Sequence, residues 1–282
     1  MKATSRTVMS AAFSRLFRVR APQESEPRSH PASGRALAGV LCTTSVLILA
    51  FSGPASASST LLGPGALWTV VRTCESAKAS VGISFPCIDL RASADGYGVA
   101  LVRPPLPRKH LLVVPTSRIV GIESPELRGQ AGSAYLALAW AARDKAAGEL
   151  GPIPWADAGM AINSVANRTQ DQLHIHVDCL TPQAKASLAT AVSTLTEQWR
   201  ALWRGVWARI FWGEDLRGAD PFGPSLDRLP LGASGFAGLN FGAAGVELNG
   251  RTGFVLLASQ SMSFERLLDP GCTLVQRGSR EP

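Results

Sequence analysis

From Gln172 to Asp178 polar and apolar residues alternate without a break, Gln172-Leu173-His174-Ile175-His176-Val177-Asp178, which is the period of a strand. Leu173, Ile175 and Val177 then enter the core, and the four polar residues share the opposite side. An unbroken apolar run ending in a proline predicts a buried strand over Leu111–Pro115, and Tyr97–Val102 predicts its antiparallel partner across a turn set by Pro104, Pro105 and Pro107. Gly159–Asn163 is a further short strand, followed by the polar loop Ser164–Gln170. Near the C terminus, Gly245–Leu248 and Gly253–Ser259 flank Asn249-Gly250, a dipeptide that favours tight hairpin turns.

Helical signals interrupt these strands. Leu67–Val71 reads as a short helix ending near the first cysteines. Ser124-Pro125 offers an N-cap and a first-turn proline to an Ala-rich amphipathic helix reaching Leu150, with Leu136, Trp140 and Arg143 at helical spacing. Thr181-Pro182 opens a second long helix through about Arg209, on which Trp199, Trp203, Trp207 and Phe211 recur every four residues. That stripe either packs on the sheet or touches a bilayer, where Arg200 and Arg204 would meet anionic headgroups. Trp212–Gly232 reads as a long loop. The order of elements gives an α+β fold with an antiparallel sheet, two main helices and a C-terminal β-hairpin, in one domain.

Composition narrows the partners. With 46% hydrophobic and 17% charged residues among 282, and with 27 glycines and 19 prolines, the chain is neither disordered nor a coiled coil. The net charge of +7 suggests an anionic partner until its distribution is considered: seven of the 28 basic and two of the 21 acidic residues fall in residues 1–57. The remainder is nearly neutral and has no nucleic-acid footprint. Residues 1–57 form a leader, basic at first, then apolar from Ala36 to Phe51, then small at Ala55-Ser56-Ala57. This is an export signal or an uncleaved membrane anchor, and either places the body, 58–282, outside the cytoplasm, in the periplasm or on the inner membrane. Four cysteines follow the leader, Cys74, Cys87, Cys179 and Cys272, an even number that favours two disulfides in an exported chain. Of three possible pairings, Cys74–Cys87 with Cys179–Cys272 is preferred, closing one short loop and tying the tail to the central strand.

The chemistry concentrates on the alternating strand. His174 and His176, about 6–7 Å apart along one face, can divide a reaction between a neutral nucleophile and a protonated partner. Three readings compete: an exposed sheet surface, a metal site completed by Asp178, and phosphoryl transfer. His110 heads the run Leu111–Val114, and Asn163, Arg168, Thr169 and Gln170 lie on or beside the loop before the strand, where amide, guanidinium and hydroxyl groups suit phosphoryl oxygens.

Gln172–Asp178 resembles the histidine-triad motif, and His110-Leu111-Leu112-Val113-Val114-Pro115 resembles the strand of that superfamily in which a histidine precedes an apolar run. Pro115-Thr116, Arg118-Ile119, Gly121–Pro125, Trp140–Asp144, Ala161–Ser164, Arg168–Gln170 and His174-Ile175-His176 together are similar to the bacterial CDP-diacylglycerol pyrophosphatases, as are Phe254–Ala258 with Gln260 and the cysteine pattern. The resemblance runs from about Leu67 to Cys272. It implies a histidine-triad-like α+β fold, CDP-diacylglycerol as substrate at a membrane surface, and hydrolysis to CMP and phosphatidate with no metal or other cofactor. It also implies that His174 is the nucleophile and that His176 contacts the phosphoryl group and protonates the departing oxygen. Gln172 stands where the triad has its first histidine; it can hydrogen-bond to a phosphate but cannot carry charge at neutral pH. His110, matching the accessory histidine, is expected to supply the missing imidazole at that same end of the site. The alternatives are a histidine-triad nucleotidyl transferase or soluble dinucleotide hydrolase, a non-catalytic envelope module binding nucleotide or lipid, and a zinc hydrolase.

Overall fold

The computed structural model describes residues 63–104, 110–203 and 205–278; the leader expected over 1–57 lies outside them. Among these residues ten strands form one antiparallel sheet: β1 (Asp89–Ala92), β2 (Gly98–Val102), β3 (Leu111–Pro115), β4 (Ala158–Ile162), β5 (Ile175–Leu180), β6 (Arg200–Trp203), β7 (Val206–Trp212), β8 (Asn240–Leu248), β9 (Arg251–Ser259) and β10 (Leu268–Asp269). Their spatial order is β1-β2-β3-β5-β4-β8-β9-β7-β6, and β10 pairs with the far end of β5. The fold is therefore α+β. Asn249 (φ 52°) and Gly250 (φ 73°) both take left-handed backbone between β8 and β9, the conformation that a two-residue hairpin turn with the twist of its strands requires.

The two faces of the sheet are used differently. Leu111, Val113, Ile175, Val177 and Cys179 point into the main core, against helix α2 (Gln130–Ala141), whose residues Gly132–Trp140 are all buried. On the opposite face a row of directly paired residues crosses four strands: Leu112 on β3, His176 on β5, Ala161 on β4 and Gly242 on β8. Helix α1 (Ala66–Val81) lies over one end of this face, packing Leu67, Val71 and Cys74 against Val102, Leu112 and Val114. Phe264 lies over the other end, where a Cβ on Gly242 would come within 2.9 Å of its ring, so that only glycine allows the approach. Between α1 and Phe264 the sheet face is left as a trough with His176 on its floor.

Three helical segments differ from the sequence expectation. Ser124-Pro125 starts only a 3-10 turn, Pro125–Leu127; Gly129, at φ 74°, breaks the path, and α2 begins after it and ends at Ala141, short of Leu150. The second long helix is not formed. Helix α3 (Pro182–Ala191), capped as expected by the Thr181 hydroxyl accepting from the Ala184 amide, stops where β6 and β7 begin. A spacing of four is even as well as helical, so Trp207 and Phe211 share one side of strand β7 and both pack on the core. The helical membrane-facing stripe is thereby overturned. Conversely α1 is longer than expected, sixteen residues with Cys74 inside it. The Cys74–Cys87 and Cys179–Cys272 disulfides are both formed. No helix among the described residues is long and apolar enough to cross a membrane.

Candidate active site

β5 opens only at Ile175, so Gln172 and His174, expected on the strand, precede it, and the polar row is buried, not solvated: Gln172 and Asp178 are inaccessible, and His174 and His176 are less than a tenth exposed. Three imidazoles lie edge to face in a row, with ring centres 5.1 Å apart for His174 and His176 and 5.3 Å for His176 and His110.

Each ring is held differently. His174 Nδ1 lies 2.8 Å from the carbonyl oxygen of Gln172. A carbonyl only accepts, so the proton sits on Nδ1 and the lone pair on Nε2. Burial, with the neighbouring His176 charge, brings the His174 imidazole down to about 4, so it is neutral near pH 7. His176 Nε2 lies 2.6 Å from a carboxylate oxygen of Glu265. Burial alone would raise the Glu265 carboxyl, but the contact and charge of His176, with a hydrogen bond from Asn163, bring it down to about 2. His110 Nδ1 pairs with Asp178 on β5, whose carboxyl is pushed up by burial against the opposing pull of His110.

A cleft of about 490 Å³ opens at the His110 end of this row, lined by His110, Asn167, Ser263, Glu265, Arg266, Leu268 and Pro270. Its place follows from the strand pairing. β3 flanks β5 only as far as Leu111, opposite Val177, and β10 takes over from Asp269, opposite Cys179. The gap falls at Asp178 and His110, and His174 lies further in, just before β5 opens.

The remaining sequence candidates divide into two groups. Asn163 stays with the site, accepting from the Ser263 hydroxyl at 2.8 Å and supporting Glu265. Arg168 is close enough to lower His174 further, but it is already paired, at 2.7 Å with Glu123 and 3.3 Å with Asp171, and the Glu123 contact raises it. Thr169 is exposed. Gln170 serves α1: its side-chain oxygen accepts from the Leu67 amide at 2.8 Å and its nitrogen donates to the Gly63 carbonyl. Gln172 is committed as well, donating to the carbonyls of Pro115 and Ser117 and accepting from Arg118, so neither amide hydrogen is left for a phosphate. Its expected partnership with His110 is a correction. Register places His110 beside Asp178, six residues in sequence from Gln172, which lies before β5 opens at Ile175, so it cannot replace an imidazole at the Gln172 end. Among the described residues no three His, Cys, Asp or Glu side chains are grouped to hold a metal ion.

The family model described as CDP-diacylglycerol pyrophosphatase matches residues 63–276, a span that contains every side chain of this site. The chain belongs to the CDP-diacylglycerol pyrophosphatase family. Relatives with that name include one from Yersinia pestis, 34% identical over 224 residues covering 77% of this chain and 81% of the relative. Another, from Mycobacterium tuberculosis, is 32% identical over 179 residues covering 63% of this chain and 68% of the relative. Within the CDP-diacylglycerol pyrophosphatase frame, sequence reasoning missed Glu265 and Asn167 and weighed Asp178 only as a metal ligand. Asp178 was readable from the alternation that contains it. Glu265 was not, because it arrives from a segment 89 residues downstream of His176 whose only local signal is the Ser263 cap on a 3-10 turn.

Proposed function

We propose that this chain hydrolyses the diphosphate of CDP-diacylglycerol to CMP and phosphatidate through a covalent CMP–histidine intermediate on His174. The observation that carries the reading is the contact of His174 Nδ1 with the Gln172 carbonyl, which leaves Nε2 unprotonated and aimed away from its own backbone. Nε2 attacks the cytidine-side phosphorus, and the bond from that phosphorus to the bridging oxygen breaks. Positive charge developing on the ring is stabilised through Nδ1–H by the carbonyl it already meets. His176, paired with the ionised Glu265, gives its proton to the departing phosphatidate oxygen. Water then attacks the CMP–histidine, returns a proton to His176 and frees His174. Family membership and the names of the relatives support the substrate; the row of imidazoles on neighbouring strands supports histidine-triad chemistry. The leader and two disulfides support an exported or membrane-anchored protein in an oxidising compartment. Hydrolysis in heavy-oxygen water tests the route: label is expected in CMP and none in phosphatidate. Quenching at alkaline pH with cytidine-labelled substrate is expected to leave label on the wild-type chain and none on His174→Ala. Label in phosphatidate would reassign the attacked phosphorus.

A further inference from the structure

Four of the seven exposed large hydrophobic side chains among the described residues fall within eight positions: Val81, Ile83, Phe85 and Ile88, with Phe85 72% and Ile83 57% accessible. The segment leaves the end of α1 and is closed by the Cys74–Cys87 disulfide, which anchors it to the buried cluster beneath. These side chains are therefore held outward on a short closed loop, and no collapse against the core hides them. A contiguous apolar projection of this kind marks a docking surface.

Its position relates it to the trough. The Ile88 amide donates to the Leu101 carbonyl, so Ile88 continues the line of β1 beside β2. From there Val102, Leu112 and His176 follow on successive strands, three spacings or about 14 Å away. That is also the end of β5 where the cleft opens beside His110. Charge agrees with a lipid partner: from Ser76 to Ile88 there is no acidic residue, and the one charged side chain is the exposed Lys78. In sequence, the apolar run Ala36–Phe51 ends fourteen residues before α1, so a leader retained in a bilayer would keep the chain at its surface.

We infer that the disulfide-closed loop Val81–Ile88 is the element that docks on an anionic lipid surface, inserting Ile83 and Phe85 so that the diphosphate of a lipid-linked substrate reaches the trough while its acyl chains stay in the bilayer. This rests on the lipid-linked substrate proposed above. The test uses the full chain with vesicles of phosphatidylethanolamine and phosphatidylglycerol. With Cys42→Ser removing the thiol of the leader, a fluorophore on Ile83→Cys is expected to be quenched by lipids spin-labelled along the acyl chain, and the same fluorophore on Leu150→Cys is expected not to be. The double variant Ile83→Ser with Phe85→Ser is expected to raise KM for vesicle-borne CDP-diacylglycerol by on the order of tenfold or more, as loss of two apolar anchors requires. It should leave turnover of a short-chain, water-soluble CDP-diacylglycerol unchanged. An unquenched label at position 83 overturns the proposal, and so does equal loss on both substrates. If the double variant instead dissociates a dimer in sedimentation, the loop takes a second copy of the chain and the lipid reading falls. A quenched label at position 83, with the wild-type chain turning over neither substrate, would leave the docking loop standing and remove the substrate.

Discussion

His174 directly precedes β5 and His176 lies within it, two residues apart, yet the surroundings of the two imidazoles differ. His174 meets a backbone carbonyl and no anion, so it is kept neutral; His176 meets a carboxylate, so a proton can be held there. Removing the proposed nucleophile, His174→Ala, is expected to abolish turnover without unfolding the chain, while His176→Ala is expected to lose about 10²–10⁴ in kcat, the usual worth of the proton donor proposed there. Parallel kinetics and circular dichroism decide between them. Glu265→Gln keeps size but removes charge from the partner of His176. It is expected to lower kcat by tenfold to a hundredfold or so and to move the alkaline limb of the kcat profile, with little effect on KM; a purely structural role would leave that limb in place. The pH dependence of stability has a definite sign. His174 titrates at about 4 in the fold and near 6.5 unfolded, so between these values the unfolded chain binds a proton that the folded chain refuses. Stability is therefore expected to fall as pH drops through that window and to be insensitive to this group above it. Glu265 adds a second loss, as pH falls from about 4.5 toward 2. Urea titrations at several pH values should show the first loss diminished in His174→Ala.

At the level of elements, the site depends on how closely the Phe264–Leu267 turn approaches the sheet. Gly242→Val is expected to push Phe264 outward, cost about 1–3 kcal/mol by overpacking, and reduce kcat because Glu265 moves with it. Gly250→Ala, in the left-handed turn of the same hairpin, is expected to cost about 1 kcal/mol with kcat unchanged. Thermal unfolding paired with kinetics separates the two. The same hairpin was readable from sequence because its turn chemistry is local, and β3 and β5 were readable because an apolar run and a period of two are also local. The segment after α3 was misread for a physical reason: aromatic residues four apart satisfy both a helix and a strand, and only pairing with β9, more than forty residues later, decides for the strand. The site shows the same divide. His110, His174 and His176 announce themselves by their strands, whereas the roles of Gln170 and Gln172 as structural ties follow from carbonyls at Gly63, Pro115 and Ser117 that no short pattern connects to them.

Across the whole molecule, the two disulfides close loops of very different length. Cys74–Cys87 spans 13 positions and Cys179–Cys272 spans 93, for which chain-entropy arguments give about 3 and 4–5 kcal/mol. Cys179→Ser with Cys272→Ser is therefore expected to be the more destabilising pair, and thiol labelling of the unreduced wild-type chain is expected to find none of these four cysteines reactive. The longer bridge joins β5, one residue beyond Asp178, to the tail that follows Glu265 and β10. Its placement has a consequence for biogenesis. A growing chain carries His174 and His176 long before it carries Glu265, and the carboxylate reaches its imidazole only when the tail folds back along β5. Synthesis and folding up to residue 262 therefore leave His176, the proposed acid, without its carboxylate partner, so the chain is expected to reach full activity only in its last steps of assembly.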